Sequence, residues 1–116
     1  MIYLTNAFSL TMTRYPVIGV PHMFSITRIS AKLASRILRK NRFVSCYGHE
    51  NTAWHLRRYL GIDFPVVRQA INLREEDTML VARAEKVRDF ESGRLGAPKW
   101  SFYLIRMEVR HGKDRS

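Results

Sequence analysis

Cysteine is almost missing from this chain: Cys46 is the only one in 116 residues. That excludes an internal disulfide and any cysteine-rich zinc site. The place of Cys46 in the apolar run Phe43–Tyr47 reads as a buried structural thiol rather than a nucleophile. Long hydrophobic runs are missing too, and none approaches the roughly 20 residues that cross a bilayer. Met1-Ile2-Tyr3 has neither the basic head nor the cleavage site of a secretory signal, so an intracellular setting is expected. No P-loop or dinucleotide glycine pattern is present. His49 and His55 lie six positions apart, which does not place them on one helical face, and no carboxylate cluster has ligand spacing. No metal or cofactor is expected, and any chemistry should be metal-independent. Acidic residues are scarce: ten Asp plus Glu stand against twenty Lys plus Arg, a formal charge of +10. Fifteen of those cations are Arg, the side chain that grips phosphate by two points at once. Such an excess repels itself and implies an anionic partner: DNA, RNA, a small nucleotide or an acidic protein.

What is present fits one globular domain. The chain is 46% hydrophobic and 11% aromatic, and its length suits a single core but not two. We place that domain over residues 1–110, with 111–116 a polar tail. Ile2–Leu4 reads as a short buried strand and Asn6–Ser9 as the loop after it. Tyr15–Pro21, punctuated by Pro16, Gly19 and Pro21, reads as irregular. Met23–Ile29 alternates with the period of a strand. Ser30 offers an N-cap to a helix ending near Asn41, with Leu33, Ile37 and Leu38 as its apolar stripe and Lys32, Arg36, Arg39 and Lys40 on its other face.

Phe43–Tyr47 is a second strand. The helix from about Asn51 to Leu60 turns Ala53, Leu56 and Leu60 inward and closes at Gly61. Pro65–Leu73 looks extended, with a polar turn at Arg74-Glu75-Glu76-Asp77. Thr78–Val87 and Trp100–Val109 are further strands, and Arg88–Lys99 between them reads as a loop. About five strands interleaved with two helices predict an α/β layer with a mixed sheet.

Two polar clusters stand where strands should end: Thr5-Asn6-Ala7-Phe8-Ser9 and Gly48-His49-Glu50-Asn51-Thr52. In open α/β sheets the carboxyl edge of the strands is where ligands bind. His49 is the sharpest candidate. Gly48 permits a tight exit from the strand, and His49 then lies at or just before a helix N-terminus that favours phosphate. There a histidine can protonate a leaving oxygen as a general acid. The competing reading makes it an N-terminal cap, or a partly buried histidine bonded to backbone. Arg88 and Glu91 face one side if their segment makes a helical turn, Arg88 steadying a phosphate and Glu91 orienting Arg88 or a ribose hydroxyl. An ordinary surface ion pair is the alternative. Asn6 and Ser9 suit nucleotide hydroxyls or phosphate oxygens, and equally suit plain turn chemistry.

At these residues the chain resembles the viral ring nucleases, a small anti-CRISPR family that includes proteins of archaeal viruses. Ile2-Tyr3-Leu4-Thr5-Asn6-Ala7-Phe8-Ser9, Gly48-His49-Glu50-Asn51-Thr52-Ala53 and Arg88-Asp89-Phe90-Glu91-Ser92-Gly93 carry the likeness, which runs from Met1 to about Val109. The resemblance implies a homodimer with a mixed sheet flanked by helices, acting in the host cytoplasm on one cyclic tetra-adenylate laid across the dimer. That messenger activates host defence ribonucleases in type III CRISPR immunity, and cutting it silences the response. It further implies metal-free attack of a ribose 2′-hydroxyl on the adjacent phosphorus, leaving a 2′,3′-cyclic phosphate end. His49 matches the general acid of that family, Arg88 and Glu91 its arginine–glutamate pair, and Asn6 and Ser9 its ligand-contacting loop. Two positions depart from the pattern. Thr11 stands where a second asparagine is usual, and Ala84, or Arg83 in a register shifted by one, stands where a glutamine is usual one helical turn before the arginine.

Two other readings compete. A basic viral protein binding DNA with weak sequence preference fits the charge and Arg36, Arg39, Arg57 and Arg58 on the helices. A protein docking an acidic partner through Arg fits the charge but not the polar clusters.

Overall fold

Among the described residues the alternation of apolar positions resolves into five strands and two helices. The computed structural model describes residues 1–8, 22–85 and 99–109. In chain order the elements are β1 (Ile2–Thr5), β2 (His22–Ile29), α1 (Ala31–Lys40), β3 (Phe43–Ser45), α2 (Glu50–Leu60), β4 (Thr78–Glu85) and β5 (Lys99–Val109). They build one five-stranded sheet in the order β2-β5-β4-β1-β3. β1 pairs in parallel with both β3 and β4, while β5 runs antiparallel between β4 and β2. The mixed α/β sheet is thus the predicted one.

Apolar faces of the helices cover one side of this sheet. Ala34 and Leu38 of α1, and Ala53, Leu56 and Leu60 of α2, pack on Leu4, Leu80, Ala82 and Phe102. The period of the helix explains the choice, since Ala34 and Leu38 lie one turn apart. Leu33, expected in the stripe, is exposed instead, because it sits one residue and so about 100° round from Ala34. Both helices begin and end where predicted. Ser30 caps α1, its hydroxyl oxygen accepting from Leu33 N–H at 3.1 Å, and Gly61 ends α2 at φ +66.

Among the described residues no helix lies in the second core, on the other side of the sheet. There Ile71 and Leu73 pack with Cys46, Met79, Val81, Ile105 and Met107, and Phe8 meets Phe24 edge-on at 5.4 Å. Burial of Cys46 agrees with the structural-thiol reading, and that burial pushes its thiol pKa up.

The chain reaches this second face by wrapping the edge of β3. Ser45 donates from its hydroxyl to the Pro65 carbonyl at 2.6 Å, Gln69 donates to the Ser45 carbonyl at 2.8 Å, and Val67 N–H donates to the Tyr47 carbonyl at 3.2 Å. Pro65–Leu73 therefore seals an edge rather than adding a strand.

β3 stops at Ser45, two residues before the predicted end. Cys46 N–H still reaches the Leu4 carbonyl at 2.8 Å, but Tyr47 N–H turns to the Ser45 hydroxyl at 3.4 Å. Lys86 and Val87, at the predicted end of the fourth strand, lie outside the described residues. So do Tyr15–Pro21, residues 88–98 of the predicted loop and the polar tail; Lys99 opens β5. Among the described residues no helix is long and apolar enough to cross a membrane.

Candidate functional site

Three parallel strands, adjacent in the order β4-β1-β3, end on one edge of the sheet. From that edge Asn6 follows β1, Gly48 and His49 follow β3, and Arg83 lies near the end of β4. The structure thus brings Asn6, Gly48 and His49 to one place. Ser9, Thr11, Arg88 and Glu91 lie outside the described residues.

A buried tyrosine fixes the exit of β3. Tyr47 is fully buried, meets Phe64 edge-on at 5.7 Å, and donates its hydroxyl to the Ala82 carbonyl at 2.9 Å. It thereby ties the end of β3 to β4. Burial pushes the phenol pKa well above its ordinary value, so the neutral donor form is held.

The next residue, Gly48, does not need a left-handed backbone: among the described residues only Gly61 has positive φ. It leaves room for an arginine instead. A Cβ at Gly48 would stand 3.2 Å from Cγ of Arg68, and Arg68 Nε donates to the Gly48 carbonyl at 3.0 Å. The close approach of Arg68 is what the structure shows at this glycine, and the exit from β3 there needs no positive φ. The remaining guanidinium nitrogens of Arg68 have no partner among the described residues.

His49 follows as the N-cap residue of α2, with an extended backbone at φ −117 and ψ 114. Its carbonyl accepts from Ala53 N–H at 2.9 Å, closing the first turn. Its side chain does not cap the helix and is exposed. His49 thus holds the N-cap position of the competing reading, but its side chain neither caps the helix nor is buried. The N–H groups of Glu50, Asn51 and Thr52 have no helical acceptor, as at any helix start, and point the positive dipole end outward beside His49.

On the β4 side, strand alternation decides between Ala84 and Arg83. Thr5 pairs with Val81, so both positions lie beyond the end of β1. Ala84 shares the helix-side face with Ala82 and pairs with Trp100, whereas Arg83 is exposed on the opposite face. β4 extends through Glu85, so helical spacing does not apply at position 84, contrary to expectation.

Arg68 and Arg83 are the residues that sequence reasoning missed as site cations. Arg68 meets Gly48 across 20 positions of sequence, and no local pattern encodes that contact. Two of the helix arginines offered to DNA are already engaged. Arg57 donates to the Phe64 carbonyl at 2.7 Å and pairs with Glu50 at 3.3 Å. Arg39 donates to the carbonyls of Leu60 and Gly61 at 3.1 and 3.3 Å.

Residues 2–95 match the family model described as STIV B116-like. Among solved structures, B116 of Sulfolobus turreted icosahedral virus (STIV) matches with a TM-score of 0.68 at 19% sequence identity, over 90% of this chain and 97% of that one. At that identity the likeness is one of fold. No curated protein matches the chain.

Proposed function

The chain belongs to the STIV B116-like family, and on that footing we propose that it is a metal-independent phosphodiesterase that opens cyclic tetra-adenylate. It does so in the host cytoplasm as a homodimer, one ring lying across the two copies, and thereby silences type III CRISPR signalling. The 2′-oxygen of one ribose forms a bond to the adjacent phosphorus as the bond from phosphorus to the 5′-oxygen breaks. The 2′-hydroxyl proton passes to solvent, and His49 donates a proton to the departing 5′-oxygen. The products are linear, with a 2′,3′-cyclic phosphate at one end.

The observation that carries this reading is His49 itself: exposed, with no side-chain partner among the described residues, at the N-cap of α2, and one residue from the carbonyl that Arg68 grips. A histidine so placed can give up a proton where phosphate binds. Arg68 and Arg83 supply cations from either side of β1, and Asn6 supplies an amide between them. Arg88, Glu91, Ser9 and Thr11 complete the clamp in this proposal.

The test is single-turnover cleavage of labelled cyclic tetra-adenylate in excess chelator. Wild type should give linear products ending in a 2′,3′-cyclic phosphate, and His49→Ala should be slower by about 10²- to 10⁴-fold. Full activity in His49→Ala would remove His49 from the chemistry. Wild-type binding without cleavage would make the protein a sponge for the messenger, and neither binding nor cleavage would end the reading.

A further inference from the structure

The two helices cover only part of their side of the sheet. Ser35 and Arg39 of α1 face the end of α2, both donating to the Leu60 carbonyl, at 3.5 and 3.1 Å. Near that end, the Tyr59 ring centre lies 6.2 Å from that of Trp100 and 6.3 Å from that of Phe102. α2 therefore sits on the Trp100 side of α1. Past α1, the same face of the sheet continues through Leu104, Arg106 and Glu108 of β5 and Thr27, Ser25 and Met23 of β2. Leu104 is half-buried and the other five are exposed, Met23 at 44%. Among the described residues no helix seals this strip.

α1 turns a matching flank toward it. Leu33 and Ile37 lie about 160° round the helix from Ser35 and Arg39, on the flank away from α2. Leu33 is 38% exposed, and Ile37 is half-buried against the core. Beside them runs a row of exposed cations, Lys32, Arg36 and Lys40, one every four residues and so about 6 Å apart. Arg106 stands on the sheet side of the strip, exposed, donating its Nε–H to the Thr78 hydroxyl at 3.2 Å. An apolar strip is thus bordered by positive charge on two sides.

Width and charge select the occupant. From Leu104 to Glu108 the strip spans about 13 Å of strand, and a helix with its side chains is about 10–12 Å across. One further helix fits beside α1, apolar toward Leu33, Leu104 and Met23 and acidic toward the cation row. This chain does not supply it. α1 has no carboxylate and α2 has only Glu50, while the stretches 9–21, 86–98 and 110–116 each carry net positive charge. Nucleic acid would match the cations but leave Leu33 and Leu104 unused, since an aliphatic side chain offers a base no π face. We infer that this strip seats an acidic amphipathic helix of a partner protein. Its carboxylates stand four residues apart, opposite Lys32, Arg36 and Lys40, and its apolar row lies on the strip. The strip lies across α1 from α2 and His49, and the inference does not rest on ring cleavage.

The test is fluorescence anisotropy with two labelled peptides of about 18 residues and identical composition, at one salt concentration. One carries Glu at i, i+4 and i+8 beside a leucine row at helical spacing, and the other scrambles that order. The patterned peptide should bind at least about tenfold tighter than the scrambled one and gain helicity by circular dichroism. Leu33→Ser and Arg36→Glu should each weaken its binding by roughly tenfold. Arg58→Glu, the same charge change on α2, should leave it within about twofold. Leu33 and Arg36 are both exposed, so folding is preserved and checked by circular dichroism. Equal binding of the scrambled peptide, an unaltered Leu33→Ser, or an Arg58→Glu loss as large as that of Arg36→Glu would overturn the inference. So would failure of the wild type to bind either peptide. A dimer in light scattering that Leu33→Ser dissolves would give the strip to a second copy and overturn it as well. An oligothymidine of equal charge that binds as tightly, and loses as much with Leu33→Ser, would do the same by giving the strip to nucleic acid.

Discussion

At the scale of single residues, the candidate site depends on contacts that hold His49 in place rather than on His49 alone. Arg68→Ala removes a charge and the hydrogen bond to the Gly48 carbonyl. We expect ring affinity to fall by about 10- to 100-fold, the worth of a charge-assisted bond, with a smaller loss of rate at saturating ring. Isothermal titration and single-turnover kinetics on the same samples separate the two effects; a pure rate effect would place Arg68 in the chemical step instead. Tyr47 gives a prediction on stability. Its folded phenol pKa is raised above the unfolded value of about 10, so its contribution is complete below pH 10 and is lost as pH rises past it. Urea midpoints should therefore fall above pH 10 in wild type, and Tyr47→Phe should flatten that fall. At neutral pH the variant should cost about 1 kcal/mol, the net worth of the bond to Ala82. His49 was legible from the sequence because glycine, histidine and a helix start stand together locally. Arg68 was not, because the residue it serves is 20 positions away.

At the scale of elements, helices were legible nearly to the residue, because caps and periodicity are local. Ser30 before α1 and Gly61 after α2 are both used as read. Ser30→Ala should lower stability by about 1 kcal/mol. Gly61→Ala should cost more, since φ +66 strains an L-residue and the new Cβ would stand 3.1 Å from an Arg39 nitrogen that holds the end of α2. Thermal unfolding of both variants checks the order, and a smaller loss at Gly61 would mean that α2 frays at that end. Strand ends were less legible than helix ends. β3 reads through Tyr47 by composition, yet the Ser45 hydroxyl and the segment 65–69 take over its hydrogen bonding first. Pro65–Leu73 has the look of a strand for the same reason. It is extended and half apolar, but its partners are side chains and one strand edge.

At the scale of the whole molecule, strand order escaped the sequence because nothing local says that β5 inserts between β4 and β2. That insertion leaves β4, β1 and β3 as a parallel group whose carboxyl ends gather the candidate site. It also leaves β2 as an eight-residue edge with Met23 and Ile26 exposed. The charge of +10 opposes any association of two copies, so a homodimer needs an apolar contact or an anionic ligand to offset the repulsion. In the function proposed above, a ring of four phosphates lying across two copies would supply that counter-charge. Proposed function therefore carries a stoichiometry: one cyclic tetra-adenylate per two chains, with affinity that falls steeply as salt rises. Light scattering with calorimetric titration of the His49→Ala variant, which binds without turnover in this proposal, should give a mass near 27 kDa, about twice one chain, and an equivalence near half a ring per chain. A titration that closes at one ring per chain on a monomer of single-chain mass would confine the whole site to one copy. His49, Arg68, Arg83 and Asn6 would then have to hold the four phosphates without a second set.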